Sequence, residues 1–68
     1  MKVRVLFEKG DVRKTVEAQK GQTIESFLKK LKINPQTVIV VKNGEVVTEQ
    51  EILRDKDELK ILSVKLGG

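Results

Sequence analysis

Between Lys2 and Glu8 the chain alternates, with Val3, Val5 and Phe7 on one face and Lys2, Arg4, Leu6 and Glu8 on the other. Successive side chains of an extended segment point to opposite sides, so the pattern predicts a half-buried strand whose apolar face needs a cover. The cover is the one stretch of clear helical period: Ile24, Phe27, Leu28 and Leu31 recur at i, i+3, i+4 and i+7. That spacing puts all four on one stripe of a helix. With Thr23 able to cap it and Glu25 in the first turn, where the macrodipole favours an acid, a helix of about ten residues is expected, ending before Pro35.

The remaining segments read as strands and turns. Lys9-Gly10-Asp11 turns the chain into Val12 to Ala18, where Val12 and Val16 share a face, so the first two strands form a hairpin and the more polar second strand is placed at an edge. Thr37 to Lys42 carries Val38, Ile39, Val40 and Val41, and Asn43-Gly44 is a strong hairpin signal ahead of Glu45 to Thr48. Thr48 and Glu51 have capping-box spacing before Ile52 and Leu53, which predicts a single helical turn over the open end of the core. Asp55-Lys56-Asp57 turns the chain into a last strand, Glu58 to Val64. Its Leu59 and Ile61 face one way and Leu62 and Val64 the other, so it is placed centrally, beside the first strand. The order predicts a two-layer α+β domain, a mixed sheet of four to five strands with one helix packed across one face.

Sixty-eight residues make one domain, expected to occupy residues 1–64 and to be followed by a flexible tail, 65–68. With neither Cys nor His, the chain has no disulfides, no thiolate or imidazole metal ligands, and no Cys-His or Ser-His nucleophilic pair. Most enzyme classes fall away on that ground, and no metal or bound cofactor is expected. Asp55 with Asp57, or Glu49 with Glu51, are the available acid–base pairs, but each lies in a turn or short segment where capping and solubility explain it better. The net charge of +4 comes from eleven Lys and three Arg against ten scattered acids. Lys29, Lys30 and Lys32 are a candidate RNA-contact stripe, but they also read as the solvated side of the helix, and exposed aromatics for base stacking are lacking. No apolar run approaches membrane-spanning length and Met1 to Phe7 does not read as a signal peptide, so a cytoplasmic protein without membrane partners is expected.

The last residues are Ser63-Val64-Lys65-Leu66-Gly67-Gly68. Two closing glycines occur by chance in roughly 0.5% of chains, which favours a functional end over an accidental one. Strand order and ending together resemble the ubiquitin-like β-grasp superfamily, most closely the ThiS and MoaD sulfur carriers and the small archaeal ubiquitin-like modifiers. The resemblance rests on Met1-Lys2-Val3-Arg4-Val5, on Ile33-Asn34-Pro35-Gln36-Thr37-Val38 leading into Val41-Lys42-Asn43-Gly44-Glu45-Val46-Val47, and on Leu59-Lys60-Ile61-Leu62 through Gly67-Gly68. It implies that the protein is not an enzyme but a carrier: a partner uses ATP, with a metal ion, to adenylate the Gly68 carboxylate and passes the acyl group on. Transfer to sulfur gives a thiocarboxylate for thiamin, molybdopterin or tRNA thiolation; the alternative, transfer to an amine, joins Gly68 to a lysine of a target protein. The approach Val64-Lys65-Leu66 lacks the Pro or Ala common in sulfur carriers for the first two pathways, and Leu66 stands where ubiquitin has a basic residue. The pathway therefore stays open, and a eukaryotic-type cascade is not implied.

Chemistry explains the glycines. A carboxylate with a pKa of about 3.5 is ionised at neutral pH and a poor electrophile, so its oxygen must become a leaving group inside a site that excludes water. Gly67 and Gly68, lacking Cβ, suit a narrow channel, and Lys65 to Gly68 span at most about 13 Å when extended. The adenylating partner is expected to dock on the sheet face away from the helix, where Leu6, Leu62, Val64 and one of Ile39 or Val41 form an apolar patch ringed by Lys and Arg, continuing into Lys65 and Leu66.

Overall fold

The computed structural model describes residues 1–64. Five strands, β1 (Lys2–Phe7), β2 (Val12–Glu17), β3 (Val38–Lys42), β4 (Glu45–Val47) and β5 (Glu58–Ser63), form a mixed sheet in the order β2-β1-β5-β3-β4. β1 and β5 pair in parallel, while β1–β2, β3–β5 and β3–β4 are antiparallel. Helix α1 (Ile24–Lys30) lies across one face. The central placement of the last strand is as expected, and its apolar residues on both faces are the cause: Leu59 and Ile61 are buried in the core, while Leu62 is half-buried on the other side.

The core gathers the alternation and the stripe in one place. Val3 and Val5 of β1, Val40 of β3, Leu59 and Ile61 of β5, and Ile24, Phe27 and Leu28 of α1 are all buried, with Ala18 and Leu53 closing the ends. Burying one such side chain contributes about 1.5–3 kcal/mol, so a domain this small depends on nearly all of them.

The helix is shorter than its periodicity suggests. Thr23 caps it as expected, its hydroxyl accepting from Ser26 N at 3.2 Å. At the other end Ile33 N donates to Leu28 O at 2.9 Å and Lys32 N to Lys29 O at 2.9 Å, with Lys32 at φ 62°. This is a Schellman stop, normally built on glycine, and here a lysine takes the left-handed position. Leu31 therefore packs at the edge of the core as the cap.

A second correction concerns Thr48 to Leu53, which is a turn (Glu51 N to Thr48 O, 3.1 Å) and not a helical turn. Its carbonyls serve α1 instead: Glu51 O accepts from Ile24 N at 2.9 Å and Glu49 O from Glu25 N at 2.8 Å. A helix start leaves its first N–H groups without partners, and this segment supplies them. Leu53 still covers the core end, but Ile52 is largely exposed. A one-turn 3-10 helix appears where none was expected, at Pro35–Thr37, with the Asn34 side chain accepting from Gln36 N at 3.0 Å.

Candidate carrier end and docking face

β5 leads to the end of the described chain. At its close Val64 N donates to Thr37 O at 3.0 Å and Glu8 N to Ile61 O at 3.2 Å, so the chain leaves the sheet between the β1–β2 turn and the 3-10 turn. Lys65, Leu66, Gly67 and Gly68, which carry the expected acyl chemistry, lie outside the described residues.

Strand register fixes the layout of the face opposite α1. Leu6 of β1 aligns with Lys60 of β5, Lys60 with Val41 of β3, and Val41 with Val46 of β4. On the far side Leu6 aligns with Arg13 of β2. One row therefore reads Arg13, Leu6, Lys60, Val41, Val46 across the sheet. The next row toward the chain exit pairs Leu62 with Ile39, and Val64 follows. Leu6, Leu62, Val64 and Val41 are half-buried, Ile39 is 40% exposed and Val46 74% exposed.

The expected apolar patch is present, with two changes. Ile39 and Val41 both belong to it, because residues two apart in a strand share a face. Lys60 lies inside the patch and not on its rim, since register sets it between Leu6 and Val41. Val46 was not among the expected residues. The alternation Glu45-Val46-Val47 was the available signal, but a three-residue edge strand leaves the choice of face to its turn. Toward the other end the same face is charged: Arg4 and Glu58 align and form a 2.8 Å ion pair.

Of the carboxylates considered as acid–base candidates, Asp55, Asp57 and Glu51 are occupied structurally. Asp57 is buried, 6% exposed. Its carboxylate accepts from Arg54 N at 2.8 Å and Asn43 Nδ2 at 2.9 Å, with Lys42 Nζ at 3.8 Å. Burial works against its charge, but the Arg54 N–H, the Asn43 amide and the Lys42 ammonium outweigh it and hold the carboxyl below its ordinary range. Asp55 accepts from Lys2 N at 3.0 Å, and Glu51 pairs with Lys42 at 3.1 Å. Lys29, Lys30 and Lys32 are exposed at the end of α1, across the molecule from the apolar face.

The sheet order, the single crossing helix and an apolar face leading to a diglycine are joined by a sequence match. The ThiS family profile fits residues 4–68, through Gly67 and Gly68. The chain belongs to the ThiS family. Proteins of this family are small carriers, not enzymes, and work with activating enzymes and sulfur-transfer partners. The sulfur carrier protein TtuB of Thermus thermophilus is 36% identical over 56 residues, covering 82% of this chain and 86% of that protein. Among solved structures, SAMP1 from Haloferax volcanii superposes with a TM-score of 0.76 at 18% identity, covering 100% of both chains. The ubiquitin of Caldiarchaeum subterraneum gives 0.76 at 19% identity, covering 100% of this chain and 98% of its own. At those identities the two structures show that this ThiS-family chain has the ubiquitin-like β-grasp fold. Among the described residues no helix is long and apolar enough to cross a membrane.

Proposed function

We infer that the protein is a sulfur carrier whose Gly68 carboxylate is activated by an adenylating partner and converted to a thiocarboxylate. The observation that carries the reading is the family match through Gly67-Gly68 on a chain that has neither a thiol nor an imidazole to carry an acyl or sulfur group itself. The relative TtuB, a sulfur carrier by name, supports it. A carboxylate oxygen of Gly68 attacks the α-phosphorus of ATP and pyrophosphate leaves. A sulfide equivalent from a sulfur donor then attacks the carbonyl and AMP leaves. The partner supplies the metal ion and the water-excluding site; this chain supplies an acyl end without side chains, and residues 1–64 are the handle.

Docking by the face opposite α1 fits this role. Leu6, Leu62 and Val64 lie on it in line with the chain exit, so a partner seated there stands next to the segment Lys65-Leu66 that delivers the glycines. The fold likeness to SAMP1 and to the archaeal ubiquitin does not favour conjugation to target lysines, because it reports fold alone. One experiment covers both outcomes. The full-length chain and a form ending at Leu66 are incubated with ATP, the host's adenylating enzymes and a sulfur source, and intact masses are read. Exchange of one oxygen for sulfur, only on the full-length chain, is expected. Target lysines that carry, after tryptic digestion, the Leu-Gly-Gly remnant left by cleavage at Lys65, in place of that exchange, would replace this reading with the modifier one, and equal activity of the shortened form would remove both.

A further inference from the structure

Lys60 stands out on the docking face because it is a cation at the centre of an apolar patch. Its neighbours in register are Leu6 on one side and Val41 on the other, and the next row toward the exit is Leu62 with Ile39. Among the described residues it takes part in no ion pair. The acid two residues earlier on the same face of β5, Glu58, is held by Arg4 at 2.8 Å. Glu8, one step beyond Leu6 on that face, aligns beside Leu62 and is exposed. The other cation of the row, Arg13, is on the edge strand β2, where water reaches it when the centre is covered.

In the free protein Lys60 is exposed between Leu6 and Val41, and a lysine so placed can lay its stem on apolar surface while its ammonium stays in water. Covering the face changes that. A partner that buries Leu6, Leu62 and Val41 also removes water from the ammonium between them, and an unpaired buried charge is strongly unfavourable. A partner of matching shape but without an acid at that point is therefore rejected, and one with a carboxylate there is accepted. Lone charges inside apolar interfaces act as selectors in this way. A second copy of this chain is a poor occupant, since two such faces brought together bring two Lys60 ammonium groups toward one another.

We propose that Lys60 is the specificity-determining residue of the docking face, and that the adenylating partner meets it with a carboxylate set in an apolar surface. This rests on the carrier reading above. The test is the partner's KM and kcat for the full-length carrier in ATP-dependent activation, measured over a range of salt concentrations. Lys60→Glu raises KM by about tenfold or more with kcat unchanged, as like charges oppose at the interface. Lys60→Met raises KM by about threefold or more and flattens its salt dependence, while Lys60→Arg stays near the parent. Lys60 is exposed on a strand, so these variants fold, and unchanged melting curves check it. A Lys60→Met carrier with the parent's KM and salt slope overturns the proposal while the parent is still activated. A parent that is not activated at all removes the carrier reading itself. Sedimentation showing a dimer that Lys60→Glu dissociates assigns the face to self-association and overturns the proposal too.

Discussion

The two ends of β5 are built differently. At its start, Asn43 and Glu58 exchange hydrogen bonds, Asn43 N to Glu58 O and Glu58 N to the Asn43 carboxamide oxygen, each 2.9 Å. Asp57 ties Arg54 N and the Asn43 amide together under the same strand, and Arg4 clamps Glu58 from β1. At its close, the ties given above, Val64 to Thr37 and Glu8 to Ile61, are backbone bonds, and the half-buried side chains there on the face opposite α1, Leu62 and Val64, are apolar. The side-chain hydrogen bonds and the ion pair that hold β5 gather at its start, away from the chain exit. The other end presents Leu62, Val64 and Ile39, apolar groups that a partner can cover. A carrier needs this division: its handle holds its shape, and among the described residues no side-chain hydrogen bond or ion pair of Ile61 to Val64 has to be undone on docking.

Breaking the polar end should have the largest effect on stability and little on activation of whatever remains folded. Asp57→Ala removes a buried charged acceptor and leaves the Arg54 N–H and the Asn43 amide without it, which costs about 2–4 kcal/mol. For a domain of this size that lowers Tm by on the order of 15 °C, read by thermal melting. Activation kinetics at a temperature where the variant is folded should keep the parent kcat. The pH dependence follows from the same carboxylate. Its folded pKa lies below the ordinary value of a free Asp side chain, 3.8. The stabilisation is therefore complete above that value and is lost as pH falls through the lower folded one. The stability gap between parent and Asp57→Asn should be constant above about pH 5 and shrink below 3.8. A gap that widened there would reverse the sign of the argument.

Much of this contrast is visible in the residues themselves, and its limits have physical causes. The alternation Val3-Val5-Phe7, the stripe Ile24-Phe27-Leu28 and the Asn43-Gly44 turn each encode local geometry, and each takes the expected form; Asn43 and Gly44 sit at φ 51° and 86°, as a two-residue hairpin requires. The buried role of Asp57 is not local. It depends on Asn43, fourteen residues away, and on a turn whose backbone points inward. The Thr48-Glu51 spacing misleads for a related reason: α1 needs acceptors for Ile24 N and Glu25 N, and tertiary demand overrides the capping pattern. The place of Lys60 within the patch also required register, because a strand's sequence gives its faces but not its neighbours.

Smaller effects on stability are expected at the delivery end, with the order of effects on activation reversed. Ile39 is 40% exposed and pairs with Leu62 beside the exit. Ile39→Ser should change stability by less than about 1 kcal/mol, as surface substitutions do. It should nonetheless raise the partner's KM by about fivefold, because hydrophobic centres of interfaces are where truncation matters. Val46→Ser, on the 74% exposed end of the same row, separates patch from periphery: a KM effect close to that of Ile39→Ser extends the docking face to β4, and no effect confines it to β3, β5 and β1.

The smallest change should be a gain. Lys32 occupies the left-handed position that ends α1, at φ 62°, where a side chain carries a steric cost of about 1 kcal/mol. Glycine removes that cost and gives back part of it through the greater freedom of the unfolded chain. Lys32→Gly should therefore stabilise the protein by about 0.5 kcal/mol, seen as a rise of a few degrees in Tm. The stop leads through Ile33 and Asn34 into the 3-10 turn whose Thr37 carbonyl holds Val64. If the delivery end works as a surface prepared for docking, firming this support leaves KM and kcat at parent values. A fall in kcat on tightening it would instead mean that the support must yield when the partner draws the chain in, and that the two ends of β5 differ in required motion as well as in chemistry.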